Sequence, residues 1–274
     1  MLRLPALLQA QGGFDLIYVD PPFNAGGVRK ARLKTGPRID GLSAYRDHWG
    51  GLDAFLGMLE PRLEAMRDAL SSQGSLWLHL DQRTVHDVKV LCDGLFGRAA
   101  FQGEIIWLPG NGNKRRSGPG MTHQTILVYS RGADMIWNEK DEMLRESYAD
   151  TSLRMHFGHV DGEGRRYRSR TVGGKTYRYY ADEGRRLGSV WSDCPAMSAN
   201  TPLTRETTGY PTQKPLKLLE RIVRAASLPS SAVLDPMCGS GTTLVAAARQ
   251  GRIPYGIDLS PVACRLTRQR LSRL

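Results

Sequence analysis

Leu16-Ile17-Tyr18-Val19-Asp20-Pro21-Pro22-Phe23 is an apolar run of strand character that ends on a carboxylate, two prolines and an aromatic ring. Near the other end of the chain, Val233-Leu234 runs in the same way into Asp235-Pro236-Met237-Cys238-Gly239-Ser240-Gly241-Thr242. Each has the pattern of a buried strand entering a turn, and open α/β sheets bind ligands beyond the carboxyl ends of their strands. Two strand ends therefore predict two sites. The first offers a carboxylate, a stiff diproline and a ring, which suits gripping a planar amine. The second offers a carboxylate and a glycine turn opening a helix, which suits a nucleoside cofactor, because glycine lets backbone approach a ligand closely.

The stretches between these ends read as alternating elements. Leu52, Phe55, Leu56, Leu59, Leu63, Met66 and Leu70 recur at helical spacing, with Pro61 expected to bend or divide that helix. Gly74 introduces the strand Ser75 to Leu80, Val85 to Leu95 returns to helical period, and Ile105 to Leu108 and Thr125 to Tyr129 read as further strands. Leu216 to Ala226 and Thr242 to Gln250 read as helices, and Tyr255-Gly256-Ile257 as a strand ending on Asp258. The order predicts an α/β fold, a doubly wound and mostly parallel Rossmann-like sheet. Asn24 to Gly41 and Pro109 to Gly120 read as loops, the second carrying Lys114, Arg115 and Arg116. From Ile136 to Thr208 the periodicity weakens and Arg mixes with Tyr, which marks an inserted module. The expected division is 1–135, 136–208 and 209–274.

The chain of 274 residues carries 38 Lys and Arg against 27 Asp and Glu, a net charge of +11. That balance points to a polyanionic partner more than to an acidic metabolite, with a merely basic surface as the alternative. Cys92, Cys194, Cys238 and Cys264 show no C-x-x-C spacing and read as reduced thiols with no metal role. No apolar run approaches a membrane span, and Met1 to Gly13 lacks the pattern of a secretion signal, so a soluble, unexported protein is expected.

At the glycine turn, no Lys-Ser or Lys-Thr follows Gly241, and Leu244 stands where a dinucleotide fingerprint has its third glycine. ATP and NAD both lose ground. Asp258, at the end of the next strand, suits a carboxylate that accepts hydrogen bonds from ribose hydroxyls. At the other end, methyl transfer to an aromatic amine needs the nitrogen lone pair oriented and its developing charge accepted. Asp20 and the carbonyl of Pro21 can each accept one amine hydrogen, while Pro22 stiffens the turn and Phe23 can stack on the ring.

On these motifs the chain resembles the S-adenosylmethionine-dependent amino-methyltransferases of DNA. More narrowly, it resembles their permuted β class, in which the catalytic motif precedes the cofactor motif. Asp20-Pro21-Pro22-Phe23-Asn24 matches the catalytic motif in its adenine-type form, and Gly74 through His79-Leu80-Asp81 to Phe96-Gly97 matches the strand and helix that follow. Tyr210-Pro211-Thr212-Gln213-Lys214-Pro215 resembles the motif lying by the cofactor's methionine end, and Asp235 to Thr242 with Asp258 completes the cofactor site. The resemblance implies S-adenosylmethionine as cofactor, with 1–135 as the catalytic half, 136–208 as a target-recognition region and 209–274 as the cofactor half. It implies double-stranded DNA as partner, an adenine turned out of the base stack, and a cytoplasmic, nucleoid-associated place in a prokaryote.

Arg165, Arg166, Arg168, Arg170, Lys175, Arg178, Arg185 and Arg186 would then contact phosphates or guanines, and Lys114, Arg115 and Arg116 would close on DNA. Cytosine N4, a protein glutamine or an RNA base remain rival targets, as does a DNA-binding relative with weak or lost catalysis. A homodimer and a cognate restriction endonuclease are left open as partners. His79 and Asp81 stand near the expected pocket with no role assigned. Met1 to Leu8 resembles the helix leading to the catalytic strand, so a preceding strand is expected to be missing, leaving a sheet edge open to another chain.

Overall fold

The computed structural model describes residues 12–23, 26–31, 42–110, 116–197 and 206–274, so the expected N-terminal helix, Lys114 and Arg115 lie outside the described residues. The strands and helices in chain order are β1 (Phe14–Val19), β2 (Val28–Ala31), β3 (Leu42–Arg46), α1 (Leu52–Ala69), β4 (Leu70–Leu80), α2 (Val85–Phe96), β5 (Phe101–Trp107) and β6 (Gln124–Ser130). An intervening segment holds β7 (Arg145–Glu146), α3 (Asp150–His156), β8 (His159–Val160), β9 (Arg166–Val172), β10 (Lys175–Tyr180) and β11 (Arg185–Arg186). The remainder is β12 (Val190–Trp191), α4 (Leu216–Ala226), β13 (Ala232–Asp235), α5 (Thr242–Arg249), β14 (Ile253–Gly256) and α6 (Pro261–Leu271). The chain divides into two compact units, Met1–Trp137 with Ser189–Leu274, and Asn138–Gly188.

The larger unit is built on a seven-stranded sheet in the order β12-β5-β6-β4-β1-β13-β14. β12 with β5, β4 with β1, β1 with β13 and β13 with β14 are parallel, and only β6 runs against its neighbours. The sheet is Rossmann-like and mostly parallel. β1 lies at its centre because Phe14, Leu16, Ile17 and Val19 are wholly buried and can be covered on both faces. Ile17 and Val19 join Leu76, Leu78 and Leu80 of β4 in one cluster with Phe55, Leu59, Leu63 and Met66 of α1 and Val85, Val88 and Cys92 of α2. Each such side chain contributes roughly 1.5–3 kcal/mol by leaving water.

Three local expectations change. Pro61 does not divide α1, which runs through it from Leu52 to Ala69. Pro61 is exposed, so the hydrogen bond its missing N–H forfeits lies on the solvent side, and the Arg62 side chain adds a donor to the neighbouring carbonyl of Met58. The segment read as the loop Asn24 to Gly41 overlaps an antiparallel pairing of β2 with β3. Asp47 closes it, exchanging backbone hydrogen bonds with Gly26 and Gly27 at 2.7 and 2.9 Å and accepting from Arg29 at 3.1 Å. Finally, the compact unit 138–188 is shorter than the 136–208 module read from the sequence, because Val190 and Trp191 pair with Ile106 and Trp107 in the large sheet.

In the smaller unit β9 and β10 form a hairpin, with Val172 opposite Lys175 across Gly173-Gly174. Both glycines have positive φ, +56° and +78°, the backbone a two-residue primed turn requires.

Candidate active site

Adjacent parallel strands carry the two motifs to one place. Ile17 pairs with Leu234, so the chain after β1 and the chain after β13 leave the same edge of the sheet. Asp20 follows β1, and its carboxylate is largely buried. Lys214 Nζ donates to Asp20 Oδ2 at 2.5 Å and lies 5.2 Å from the centre of the Phe23 ring. Asp20 Oδ1 is buried and accepts no hydrogen bond from the described residues. Desolvation raises the Asp20 carboxyl above the ordinary carboxylate range, opposed by Lys214 and reinforced by Asp47 and Asp81.

Behind the motif, Tyr18 OH bonds His79 Nδ1 at 2.8 Å, and His79 Nε2 bonds Gln124 Oε1 at 2.7 Å. With Gln124 accepting, the imidazole carries its proton on Nε2 and accepts from the tyrosine. Burial, and then Lys214, push His79 well below its ordinary value, so it is neutral. Its ring meets Trp107 edge-on at 5.3 Å and lies 6.4 Å from Phe23. This chain braces β1, β4 and β6 beneath the DPPF turn.

At the second strand end, Asp235 Oδ1 accepts from Met237 N–H at 3.1 Å and Oδ2 from Thr243 OH at 2.6 Å. Burial lifts the Asp235 carboxyl to about 7, against the pull of those two bonds. The turn itself is fixed by Gly241, whose φ is +75° and whose missing Cβ would meet Thr267 at 2.5 to 2.9 Å. Asp258 Oδ2 accepts from Gly239 N–H and Oδ1 from Ser260 N–H, both at 2.8 Å. Each carboxylate oxygen keeps a further lone pair for ligand hydroxyls. Arg270 of α6 ties the turn down from the other side, donating to the Ser240 carbonyl at 2.7 Å and to Thr242 Oγ1 at 3.1 Å. A glycine turn flanked by two carboxylates fits a nucleoside that bears hydroxyls and an ammonium group.

The structure brings together Asp20, Pro21, Pro22, Phe23 and Lys214, and separately Asp235 through Thr242 with Asp258. It engages Gln213 differently: Oε1 accepts from Thr208 N–H and OH, and Nε2 donates to the Glu206 carbonyl. Thr212 is exposed with φ +58°, and Pro215 is buried as the N-cap of α4. Sequence reading missed Thr243, Arg270 and the Tyr18–His79–Gln124 chain. The sequence places His79 itself near the pocket, but not its partners Tyr18 and Gln124.

Of the expected DNA-binding cations, Arg116 is exposed at the end of the basic loop. In the smaller unit, Arg165 is ion-paired with Asp182 and Glu183 at 2.9 and 3.1 Å. Arg166 donates to the carbonyls of Leu153 and Phe157 at the end of α3. Arg168 sits among the rings of Tyr148, Phe157 and Tyr179 at 5.4 to 5.6 Å. Arg170, Lys175 and Arg178 stand exposed on the hairpin near its turn, with Arg178 4.9 Å from the Tyr167 ring. Arg185 and Arg186 are ion-paired with Glu146 and Glu139.

The DPPF turn and the glycine turn thus leave neighbouring central strands of one Rossmann-like sheet. The chain belongs to the N6_N4_Mtase family of DNA methylases, which it matches over residues 14–269. S-adenosylmethionine is the cofactor of that family. Type II methyltransferase M.EcaI of Enterobacter cloacae is 28% identical over 298 residues, covering 94% of this chain and 64% of that protein. The DNA adenine methyltransferase YhdJ of Escherichia coli (strain K12) is 27% identical over 259 residues, covering 94% and 76%. This chain thus spans just under two thirds of the first relative's length. Among solved structures, the M1.HpyAVI–SAM complex superposes with a TM-score of 0.55 at 17% identity, covering 97% and 92% of the two chains. The cytosine-N4-specific PvuII DNA methyltransferase gives 0.57 at 15%, covering 94% and 79%. At those identities the likeness concerns the fold.

Proposed function

We propose that the protein methylates the exocyclic N6 amine of adenine in double-stranded DNA, at a specific sequence and on a base turned out of the helix. The observation that carries this is the buried, unpartnered Oδ1 of Asp20 beside Phe23, one strand away from the glycine turn. A buried acceptor left bare costs about 1–3 kcal/mol, a cost relieved when an amine hydrogen arrives. Bound S-adenosylmethionine supplies the electrophilic methyl group; Asp258 would hold its ribose, and Asp235 and the turn from Pro236 to Thr242 its remaining part. Asp20 Oδ1 and the Pro21 carbonyl accept the two amine hydrogens and turn the nitrogen lone pair out of the ring's π system. As the nitrogen gains a fourth bond, the carboxylate stabilises its positive charge and is the nearest acceptor for the proton it loses.

The aspartate and phenylalanine of the motif favour adenine over cytosine, whose form of the motif more often begins with serine and ends with tyrosine. YhdJ, named as an adenine methyltransferase, supports the same choice. The hairpin β9–β10 is the DNA-reading ribbon, with Arg170, Lys175 and Arg178 as its contacting cations, since all three stand exposed near its turn. A two-stranded ribbon is of a size to enter the major groove. Lys114, Arg115 and Arg116 add phosphate contacts. Tritiated methyl transfer from S-adenosylmethionine to duplex DNA, followed by digestion to nucleosides, tests the reading. N6-methyladenine is expected; N4-methylcytosine as the product, or no transfer, overturns it.

A further inference from the structure

The two oxygens of Asp20 stand in different circumstances, and the difference is made by a residue 194 positions away in sequence. Lys214 is buried at 8% exposure, so its charge is not available to solvent, and its ammonium is directed at Oδ2 alone. The segment that presents it is braced. Gln213 bridges Thr208 and the Glu206 carbonyl, Glu206 Oε2 accepts from Leu216 N–H at 3.1 Å, and Tyr210 packs with Ala263 and Leu266 of α6. A buried lysine held this firmly against one oxygen of the amine-accepting carboxylate does more than fill space.

We propose that Lys214 is a positioning residue for methyl transfer: by bonding Oδ2 it fixes the Asp20 carboxylate and leaves Oδ1 as the unengaged oxygen that meets the target amine. This rests on the reading of Asp20 as that acceptor. Lys214 also supplies the counter-charge without which a buried carboxylate would take up a proton. The charged and titratable groups around Asp20 are Lys214, then Asp47 and Asp81, with Tyr18 and Asp235 close enough to feel its charge. Asp47 and Asp81 are themselves paired with Arg29 and Arg83. Lys214 is the only one of these that donates a hydrogen bond to Asp20 among the described residues.

The test compares Lys214→Met, Lys214→Arg, Asp20→Asn and the double variant D20N/K214M. Three readouts are taken: the pH profile of kcat, the carboxyl 13C NMR titration of Asp20 in the free protein, and S-adenosylmethionine affinity by calorimetry. For K214M the expectation is a fall in kcat of about 100-fold near neutral pH, the scale of a misplaced reacting group. Its acid limb and its Asp20 titration should both move to higher pH, while cofactor affinity changes by less than about threefold. K214R should recover part of the rate, and the double variant should be no worse than D20N, because each residue acts through the other. A K214M protein with weakened cofactor binding but an unmoved acid limb and titration overturns the proposal, as do additive losses in the double variant. Failure of the methyltransferase reading looks different: the unsubstituted protein transfers no methyl to DNA, and the NMR titration still judges the pair.

Discussion

Asp235 gives the sharpest stability prediction. Its carboxyl is 3% exposed and held at about 7 by burial, with Asp20 and Asp258 adding to the rise. In an unfolded chain the same group titrates near 3.9. A folded value above the unfolded one means that the fold favours the protonated form. The stability is whole below about pH 4, declines as pH rises, and has lost its full share above about pH 7. At ~1.4 kcal/mol for each tenfold change in proton affinity, the loss is about 4 kcal/mol. Asp235→Asn removes the titration while keeping an acceptor for Met237 N–H, at a cost of about 1 kcal/mol for the altered bond to Thr243. Urea unfolding of both proteins without cofactor, from about pH 5 to about pH 8.5, reads the difference as a shift in midpoint at constant slope. The variant should be within about 0.5 kcal/mol of the unsubstituted protein at about pH 5, where roughly a third of the loss has already occurred, and more stable by about 3 kcal/mol at the alkaline end. His79 contributes equally to both proteins and cancels. Parallel stability curves would refute the argument that Asp235 is buried at the expense of its charge.

The other predictions separate roles. Asp20→Ala should abolish transfer with cofactor affinity unchanged, whereas Asp258→Ala should weaken cofactor binding by about 1.5–3 kcal/mol, the range for hydrogen bonds to a charged group, as calorimetry would show. Replacing Arg170, Lys175 and Arg178 with alanine should flatten the dependence of log affinity for duplex DNA on log salt by ~0.9 for each phosphate that is no longer neutralised. Arg165→Ala, which removes a cation already neutralised by Asp182 and Glu183, should leave that slope unchanged; fluorescence anisotropy decides both. Pro61→Ala restores a helical N–H in α1 and should raise the unfolding free energy by about 1–3 kcal/mol, read from the urea midpoint.

What could be read from the sequence were elements whose burial is written in consecutive residues. β1, β4, β6 and β13 are apolar runs closed by turn residues, and α4 repeats its apolar face at Leu218, Leu219, Ile222 and Val223, so their existence and order follow from pattern alone. β9 and β10 left no such trace, because Arg166 to Val172 and Lys175 to Tyr180 are largely exposed on both faces and show no apolar alternation. Only the Gly173-Gly174 pair between them marked the turn. Pairings across the sheet were illegible for a different reason. Nothing local to Lys214 says that it meets Asp20, nor that Gln124 meets His79; those contacts exist only once strand order is known.

Strand order also accounts for the site's electrostatics. A parallel pairing in which Ile17 faces Leu234 sets Asp235 opposite Tyr18 and lets Asp20 extend just beyond it, so two carboxylates converge below the surface from chain segments far apart. A slip of one residue would turn one of them to the other face of the sheet. Convergence has a cost, since the charge of Asp20 raises Asp235 and both are desolvated. One cation of the chain, Lys214, answers Asp20, and Asp235 has only neutral donors, Met237 N–H and Thr243 OH, among the described residues. Once ionised, above about pH 7, Asp235 is therefore a negative charge with no cation bonded to it among the described residues. Under the proposed function, the positive charge of S-adenosylmethionine would relieve that strain. Part of the affinity would in this way be stored as instability of the fold, a common trade between stability and function. The stability gained by Asp235→Asn and the cofactor affinity it loses should then be two measures of one free energy.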